Sequence, residues 1–244
     1  DGSLWLLHTA QYSGNQDTAV VRRRVSLDHG SNWTETGSLK DIPTGTFVRH
    51  PIHVHTDGSW LMPAYACRVL PGAKWDGSLD ESFVMRSTDQ GASWQQIPIP
   101  NSLGCVHMSL VPATGGRLLG FFRSRWADNI YMTSSDDGGL SWKEPVATEL
   151  PNNNSSIQAL RLADGRLAMI FNQSSAADAT ERRESLYDEL DDQDSSASQS
   201  QVVAVKNTGR RSFWGAPRAP MTLALSEDDG LTWPWRRNLE VGDG

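Results

Sequence analysis

Four octapeptides constrain this chain more than any other feature. They read SLDHGSNW at 26–33, STDQGASW at 87–94, SDDGGLSW at 135–142 and SEDDGLTW at 226–233. Each has the form Ser-x-Asp-x-Gly-x-(Ser/Thr/Asn)-Trp. Four matches in one register do not arise by chance, so a structural unit repeats along the chain. The residue types describe a tight hairpin corner. The carboxylates of Asp28, Asp89, Asp137 and Asp228 are placed to accept hydrogen bonds from turn N–H groups. The glycine supplies a backbone angle that few other residues adopt. Trp33, Trp94, Trp142 and Trp233 each offer a large apolar plate with one N–H to pair, suited to wedging beneath the turn.

The corners start at 26, 87, 135 and 226, so successive starts are 61, 48 and 91 residues apart. One four-stranded propeller blade takes about 40–45 residues. The longest interval is close to two such units, so 143–225 is expected to hold a blade without its own corner. Apolar strands precede the corners: SFVMR before 87, NIYMT before 135 and MTLAL before 226. The composition agrees, with 21 Gly and 12 Pro punctuating short apolar runs. The expected fold is all-β, a β-propeller of four-stranded antiparallel blades. Residues 1–33 read as the end of one blade, 47–94 as a second, 104–142 as a third and 155–172 as the opening of a fourth, with a further unit closing at 233. That makes about four to five blades in a single domain over 1–244, incomplete at both ends. The stretch 176–212 is polar and mixed in charge. It reads as an exposed insertion within the domain, with a short helix at 181–191.

The corners resemble the Asp-boxes, or bacterial neuraminidase repeats, of the sialidase superfamily, in which they join the third and fourth strands of propeller blades. The resemblance implies a parent of six or seven blades, of which this chain is a fragment, and a structural role for the boxes away from the active site. It also implies a site in which arginines grip a sugar carboxylate, because the planar guanidinium fork donates two parallel hydrogen bonds to such a group.

The family pattern carries over residue by residue. In GCVHMSLVPATGGRLLGFFRSR, before the box at 135, Arg123 falls at the position of the second arginine, with Arg125 two residues on. His107 falls sixteen residues before Arg123, at the position of the family's Glu. Arg218, in APRAPMTLALSEDDG, resembles the third arginine. Asp17, in YSGNQDTAVV, falls near the position of the acid/base Asp. The motif VRHP at 48–51 imitates the family's Arg-Ile-Pro but follows a box where the family motif precedes the first one, so the two are not equated. In PNNNSSIQ at 151–158, Asn152, Asn153, Asn154 and Gln158 have amides that both donate and accept, as sugar hydroxyls require. His107 is the main departure, since a neutral imidazole cannot act as the Glu carboxylate does. It is a competent general base near neutral pH, and some propeller polysaccharide lyases use His with Tyr or Arg on uronate-containing glycans.

Three functions follow as expectations. The first is a sialidase-like enzyme cleaving a terminal anionic sugar, sialic acid, from glycans. The second is a uronate-specific lyase on the same scaffold with His107 as base, and the third a non-catalytic glycan- or protein-binding module. Catalytic residues are expected at His107 and Asp17, and substrate-binding residues at Arg123, Arg125, Arg218, Asn154 and Gln158. The non-box tryptophans Trp60, Trp75, Trp126 and Trp214 suit sugar stacking or packing. No metal or cofactor is implied; a structural cation is not assignable, and the acidic run 188–194 reads as a solvated face. His53 and His55 share a strand face but lack further ligands. A net charge of −7 without a basic block argues against nucleic acid, and no apolar run approaches the roughly 18 residues of a membrane span. The expected partner is a glycan and the expected state a monomer. Two cysteines make no disulfide framework. The sequons at Asn32, Asn154 and Asn172 permit the secreted parent that the resemblance suggests.

Overall fold

A computed structural model of the protein describes residues 2–12, 15–181 and 209–242. These residues form four antiparallel sheets and no α-helix. The first sheet holds β1 (Leu4–Tyr12), β2 (Asn15–Ser26) and β3 (Thr34–Ser38). In the second, β4 (Thr46–Val48), β6 (Trp60–Ala66), β7 (Glu81–Ser87) and β8 (Gln95–Pro98) pair in that order, and β5 (His53–Val54) also pairs with β6. The third runs β9 (Cys105–Pro112), β10 (Leu118–Ser124), β11 (Asn129–Ser135) and β12 (Val146–Pro151). The fourth runs β13 (Gln158–Arg161), β14 (Leu167–Asn172), β15 (Met221–Ser226) and β16 (Trp235–Glu240). This all-β series of consecutive antiparallel sheets is the expected architecture.

The unit boundaries differ from expectation. The octapeptides do not end their sheets. Each leads into one more strand, β3, β8, β12 or β16, so the unit opened at 155–172 and the unit closed at 233 are one sheet. Among its described residues the interval 143–225 holds no cornerless blade; they carry β12, β13, β14 and most of β15. The connection from β14 to β15 is long, and the helix expected at 181–191 and most of the 176–212 insertion lie outside the described residues. Its described ends are a 3₁₀ turn at Ala176–Asp178, capped by Ser175, and an ordered segment from Gly209.

All four corners close alike. In the third, Ser135 Oγ donates to Asp137 Oδ1 and accepts from Gly139 N, while Ser141 N and Oγ donate to the two Asp137 oxygens. The other three repeat this set with Asn32, Ser93 and Thr232 in place of Ser141. Residues five of each box have φ of +84° to +90°, which explains the glycine.

The corner also locks one sheet onto the one before it. A Cβ on Gly91 would stand 3.0 Å from Trp5 of β1, one on Gly139 2.8 Å from Leu61 of β6, and one on Gly230 2.7 Å from Phe121 of β10. Trp94, Trp142 and Trp233 enter three successive apolar clusters, between sheets one and two, two and three, and three and four. The core is therefore a series of inter-sheet layers, as a blade array requires.

Candidate active site

At the ends of the sheets remote from the boxes, the second, third and fourth converge on one polar cluster. Its centre is His107. The β9–β10 ladder pairs Phe121 with Ser109 and Arg123 with Val106, so His107 and Met108 together face Phe122. This is a β-bulge, and His107 takes a φ of +54° within it. Bulges re-aim a side chain, and left-handed backbone outside glycine is kept where surrounding structure enforces it. Here the ring is turned toward the second sheet. His107 Nε2 lies 2.8 Å from the Tyr65 hydroxyl of β6, and the two rings are 4.9 Å apart. On its other side, Nδ1 faces Ser156 Oγ at 2.9 Å and Arg123 Nη1 at 3.5 Å.

These neighbours set the imidazole's state. Both His107 and Tyr65 are buried. Burial, then the charges of Arg123, Arg125 and Arg49, hold His107 well below its usual range, so the ring is neutral at neutral pH. A guanidinium can only donate, so Arg123 favours a lone pair on Nδ1 and the ring proton on Nε2. In that tautomer Nε2–H donates to the Tyr65 oxygen, and the phenol keeps its own proton to give elsewhere. Burial raises the Tyr65 pKa, which keeps the phenol protonated.

Arg123 is partly buried, and Asn154 positions it. Arg123 Nε donates to Asn154 Oδ1 at 2.7 Å, and Asn154 Nδ2 donates to the Phe213 carbonyl at 2.9 Å. Asn152 Oδ1 accepts from the backbone N–H groups of Ser124 and Asn154, and Asn153 Nδ2 donates to the Pro217 carbonyl. The PNNNSS stretch is therefore a wired turn, its three asparagine side chains spent on protein groups. Buried in this way, Asn154 is not a glycan acceptor. Gln158 is exposed on β13, its amide within reach of Ser109 Oγ at 3.3 Å.

Arg125 departs from its expected role as a substrate ligand. Its Nε and Nη2 donate to Asp80 Oδ2 at 2.9 and 2.6 Å, while Trp75 Nε1 donates to Asp80 Oδ1. Asp80 is 0% exposed and Arg125 3%. The guanidinium also lies against both the Trp75 and Trp214 indoles, 5.3 and 5.2 Å from their centroids. Burial pushes the Asp80 carboxyl up, against the pull of Arg125 and the Trp75 N–H. This pair is a buried platform beneath Tyr65 and His107. Trp75, Trp126 and Trp214 are packing residues here, and Trp60 meets Trp5 edge to face.

The other expected residues are placed less centrally. Arg218 is exposed before β15, and its carbonyl accepts from Asn172 Nδ2. The backbone of Asp17, at the start of β2, lies against Gly45. Among the described residues Asp17 makes no hydrogen bond or ion pair with Tyr65, His107 or Arg123. The segment after Gly209 is not the exposed tail of an insertion. Ser212 N donates to Ser78 Oγ, Phe213 N to the Arg125 carbonyl and Trp214 Nε1 to the Asp76 carbonyl. This connection of the fourth sheet thus straps across the third to the second. Among the described residues no group of three or more metal-ligating side chains occurs, and no helix is long and apolar enough to cross a membrane. The acidic run 188–194 lies outside the described residues.

Sequence reasoning missed Tyr65, Asp80 and Ser156, and set Arg49 aside. Tyr65 sits in the apolar strand WLMPAYA, with nothing local to mark it. Arg49 lies close enough to His107 for its charge to act on the ring; the likeness of VRHP to Arg-Ile-Pro was the available signal.

The chain spans under half the length of a solved sialidase structure that it resembles. That structure, the Hadza microbial sialidase Hz136, matches 99% of this chain and 44% of its own length, with 14% identity and a TM-score of 0.65. The intramolecular trans-sialidase from Ruminococcus gnavus matches 93% of this chain and 42% of its own at 14% identity and TM-score 0.57. The α-L-arabinanase of Penicillium chrysogenum matches 96% and 63% at 16% identity and TM-score 0.58. No curated protein matches. These likenesses establish a fold shared with sialidases and an arabinanase. The BNR repeat-like domain model matches residues 1–244, and the chain belongs to that family.

Proposed function

We propose that this chain carries the acidic-sugar site of a glycan-cleaving enzyme, with Arg123 holding the sugar carboxylate and the Tyr65–His107 pair moving protons at the scissile bond. The observation that carries this reading is the buried hydrogen bond between Tyr65 and His107 beside a guanidinium that Asn154 holds in place. Two sheets contribute the pair, and no carboxylate among the described residues hydrogen-bonds to it. The phenol gives its proton to the leaving glycosidic oxygen as the bond to the sugar breaks. The imidazole, neutral and donating through Nε2, stabilises the developing phenolate. In hydrolysis, water then adds to the sugar carbon and returns a proton to the pair. The first reading is hydrolysis at a terminal sialic acid, supported by the sialidases that share the fold and by the arginine.

A second reading has a specific observation in its favour, since the partner of Tyr65 is an imidazole where the sialidase pattern has Glu. On a uronate, the other imidazole tautomer carries the step: with the ring proton on Nδ1, Nε2 accepts the Tyr65 proton as the phenol oxygen takes the sugar-ring proton beside the carboxylate, a carbon–carbon double bond forms as the bond to the leaving oxygen breaks, and that oxygen receives a proton from the pair. Arg123 stabilises the enolate-like charge. The experiment is to incubate the protein with a methylumbelliferyl sialoside and, separately, with a uronate glycan. Fluorophore release supports hydrolysis, and new ultraviolet absorbance from a conjugated double bond supports elimination. Either activity is expected to fall about 10²–10⁴-fold in Tyr65→Phe. Binding without turnover of either substrate would leave a glycan-binding module and overturn the enzyme reading.

A further inference from the structure

Among the described residues, the hydrogen-bond partners of the His107 ring are hydroxyls with one exception. Nε2 lies 2.8 Å from the Tyr65 oxygen, and Nδ1 lies 2.9 Å from Ser156 Oγ. A hydroxyl both donates and accepts, so these two contacts satisfy a ring proton on either nitrogen. The exception is Arg123, whose Nη1 stands 3.5 Å from Nδ1 and can only donate. One guanidinium thus decides between two tautomers that the hydroxyls leave balanced. It also has room for a ligand. Its Nε is spent on Asn154, and among the described residues no hydrogen bond or ion pair engages Nη2. Ser156 is held in place from both sides. In the turn before it, Ser155 N donates to Asn153 Oδ1 and Asn154 N to Asn152 Oδ1, and Ile157 after it is buried in the layer between the third and fourth sheets.

We propose that Ser156 and Arg123 together set the tautomer of His107, and that a sugar carboxylate drawn onto Arg123 moves the ring proton from Nε2 to Nδ1. The carboxylate offsets the guanidinium charge at the ring and competes for its N–H groups. Nδ1–H then donates to Ser156 Oγ, and the lone pair now on Nε2 accepts from the Tyr65 hydroxyl. The ring stays neutral: the proton leaving Nε2 passes to water by way of the Tyr65 oxygen, and Nδ1 receives one from water by way of Ser156 Oγ. Ser156 is a positioning residue, since it acts through the imidazole. The inference rests on the acidic-sugar reading of Arg123 and narrows it. Elimination uses the Nδ1–H tautomer and hydrolysis the Nε2–H tautomer, so the bound sugar's own carboxylate prepares Tyr65 to act as a base and favours elimination on a uronate.

Nitrogen–proton correlation spectra of histidine labelled at the ring nitrogens show which nitrogen carries the proton, and the signals lost in His107→Gln assign the ring. The protein is titrated at neutral pH with glucuronate and with N-acetylneuraminate, and the Arg123 Nε–H resonance reports binding. The free protein is expected to show Nε2–H. In the acid-bound protein the tautomer ratio should move about tenfold toward Nδ1–H, the worth of one contact to a charged donor. Arg123→Met should make the same move without sugar; should that variant not fold, the titration and the Ser156 variants decide alone. Ser156→Ala should hold the proton on Nε2 in the acid-bound protein, because an N–H at Nδ1 would be buried without an acceptor, and Ser156→Thr should restore the move. Bound acid with the proton still on Nε2 would overturn the switch and spare the acidic-sugar site. An Arg123 Nε–H silent to both acids, with the proton moved in Arg123→Met, would keep the control of the tautomer and overturn the reading of Arg123 as the carboxylate's anchor. Nδ1–H in the free protein, Nε2–H kept in Arg123→Met, or a Ser156→Ala ring that responds to acid as the native one does would each overturn the proposal.

Discussion

The two ends of the sheets solve opposite problems. At the box end, polar groups are satisfied within eight residues. Every Ser–Asp and Asp–Ser/Thr/Asn bond spans two or four positions, and the Asp carboxylates stay near solvent. At the site end, the bonds from Arg123 to Asn154, Tyr65 to His107, Arg125 to Asp80 and His107 to Ser156 span 31 to 49 residues, and the strap reaches 134 residues back to Ser78. The charges there are buried. The first end is local chemistry repeated four times, cheap because water still helps it. The second is long-range chemistry made once, and burial makes each unmatched charge expensive.

The sharpest way to break this contrast is to delete one carboxylate at each end. Asp80→Ala leaves Arg125 buried without its counter-charge and is expected to cost about 3–5 kcal/mol of stability. The double replacement Asp80→Leu with Arg125→Met should recover much of that loss, since no buried charge then remains. Asp89→Ala, at an exposed corner, should cost far less. Urea unfolding midpoints at constant slope would measure all three. A loss for Asp89→Ala as large as that for Asp80→Ala would erase the distinction between the ends.

A second contrast lies among the corners themselves. The first has the same internal bonds as the others, yet Trp33 is 40% exposed where Trp94, Trp142 and Trp233 are 6%, 6% and 1% exposed. Gly30 shows the same gap, since a Cβ there would come no closer than 3.7 Å to another residue. The corner's hydrogen bonds are thus separable from its seat on the preceding sheet. Trp233→Ala is expected to cost about 3–5 kcal/mol and Trp33→Ala about 1 kcal/mol or less, again by denaturant unfolding. Equal losses would show that the turn, and not the seat, sets the tryptophan's contribution.

What the sequence revealed follows the same division. The boxes were legible because Ser, Asp, Gly and Trp act on one another within a turn. His107 and Arg123 were legible as a pair from their spacing, which places both near one end of a hairpin. Tyr65 and Asp80 were not, because their importance comes from the neighbouring sheet. The strands after the boxes were missed for another reason. Thr34–Ser38 and Trp235–Glu240 are largely exposed, so they lack the alternation that marks a half-buried strand. That absence made each corner look like an end and inflated the number of units. Arg125 was misplaced because an arginine near a site reads as a ligand until the aspartate that claims it is known.

Acid should separate the two ends by pH window, with the smallest effects of all. Hydrogen bonds from the Asn32 N–H and side-chain amide hold Asp28 at about 2, and those from the Ser93 hydroxyl and N–H hold Asp89 at about 2, against an ordinary 3.8. The unfolded chain therefore takes up these protons first, and the stability they contribute is present above about pH 4 and lost as pH falls toward 2. His107 acts higher on the scale. Its folded pKa lies well below 6.5, so its contribution is complete above that value and declines as pH drops below it. His50 and His53, also lowered by burial first, add to the same upper window. Stability measured by unfolding across pH should therefore fall in two steps. His107→Gln is expected to flatten the upper step without abolishing it, and Asp89→Asn to shallow only the lower. An upper step unchanged in His107→Gln would mean that the ring takes a proton in the folded protein as readily as in the unfolded chain, and the neutral imidazole beside Tyr65 would have to be given up.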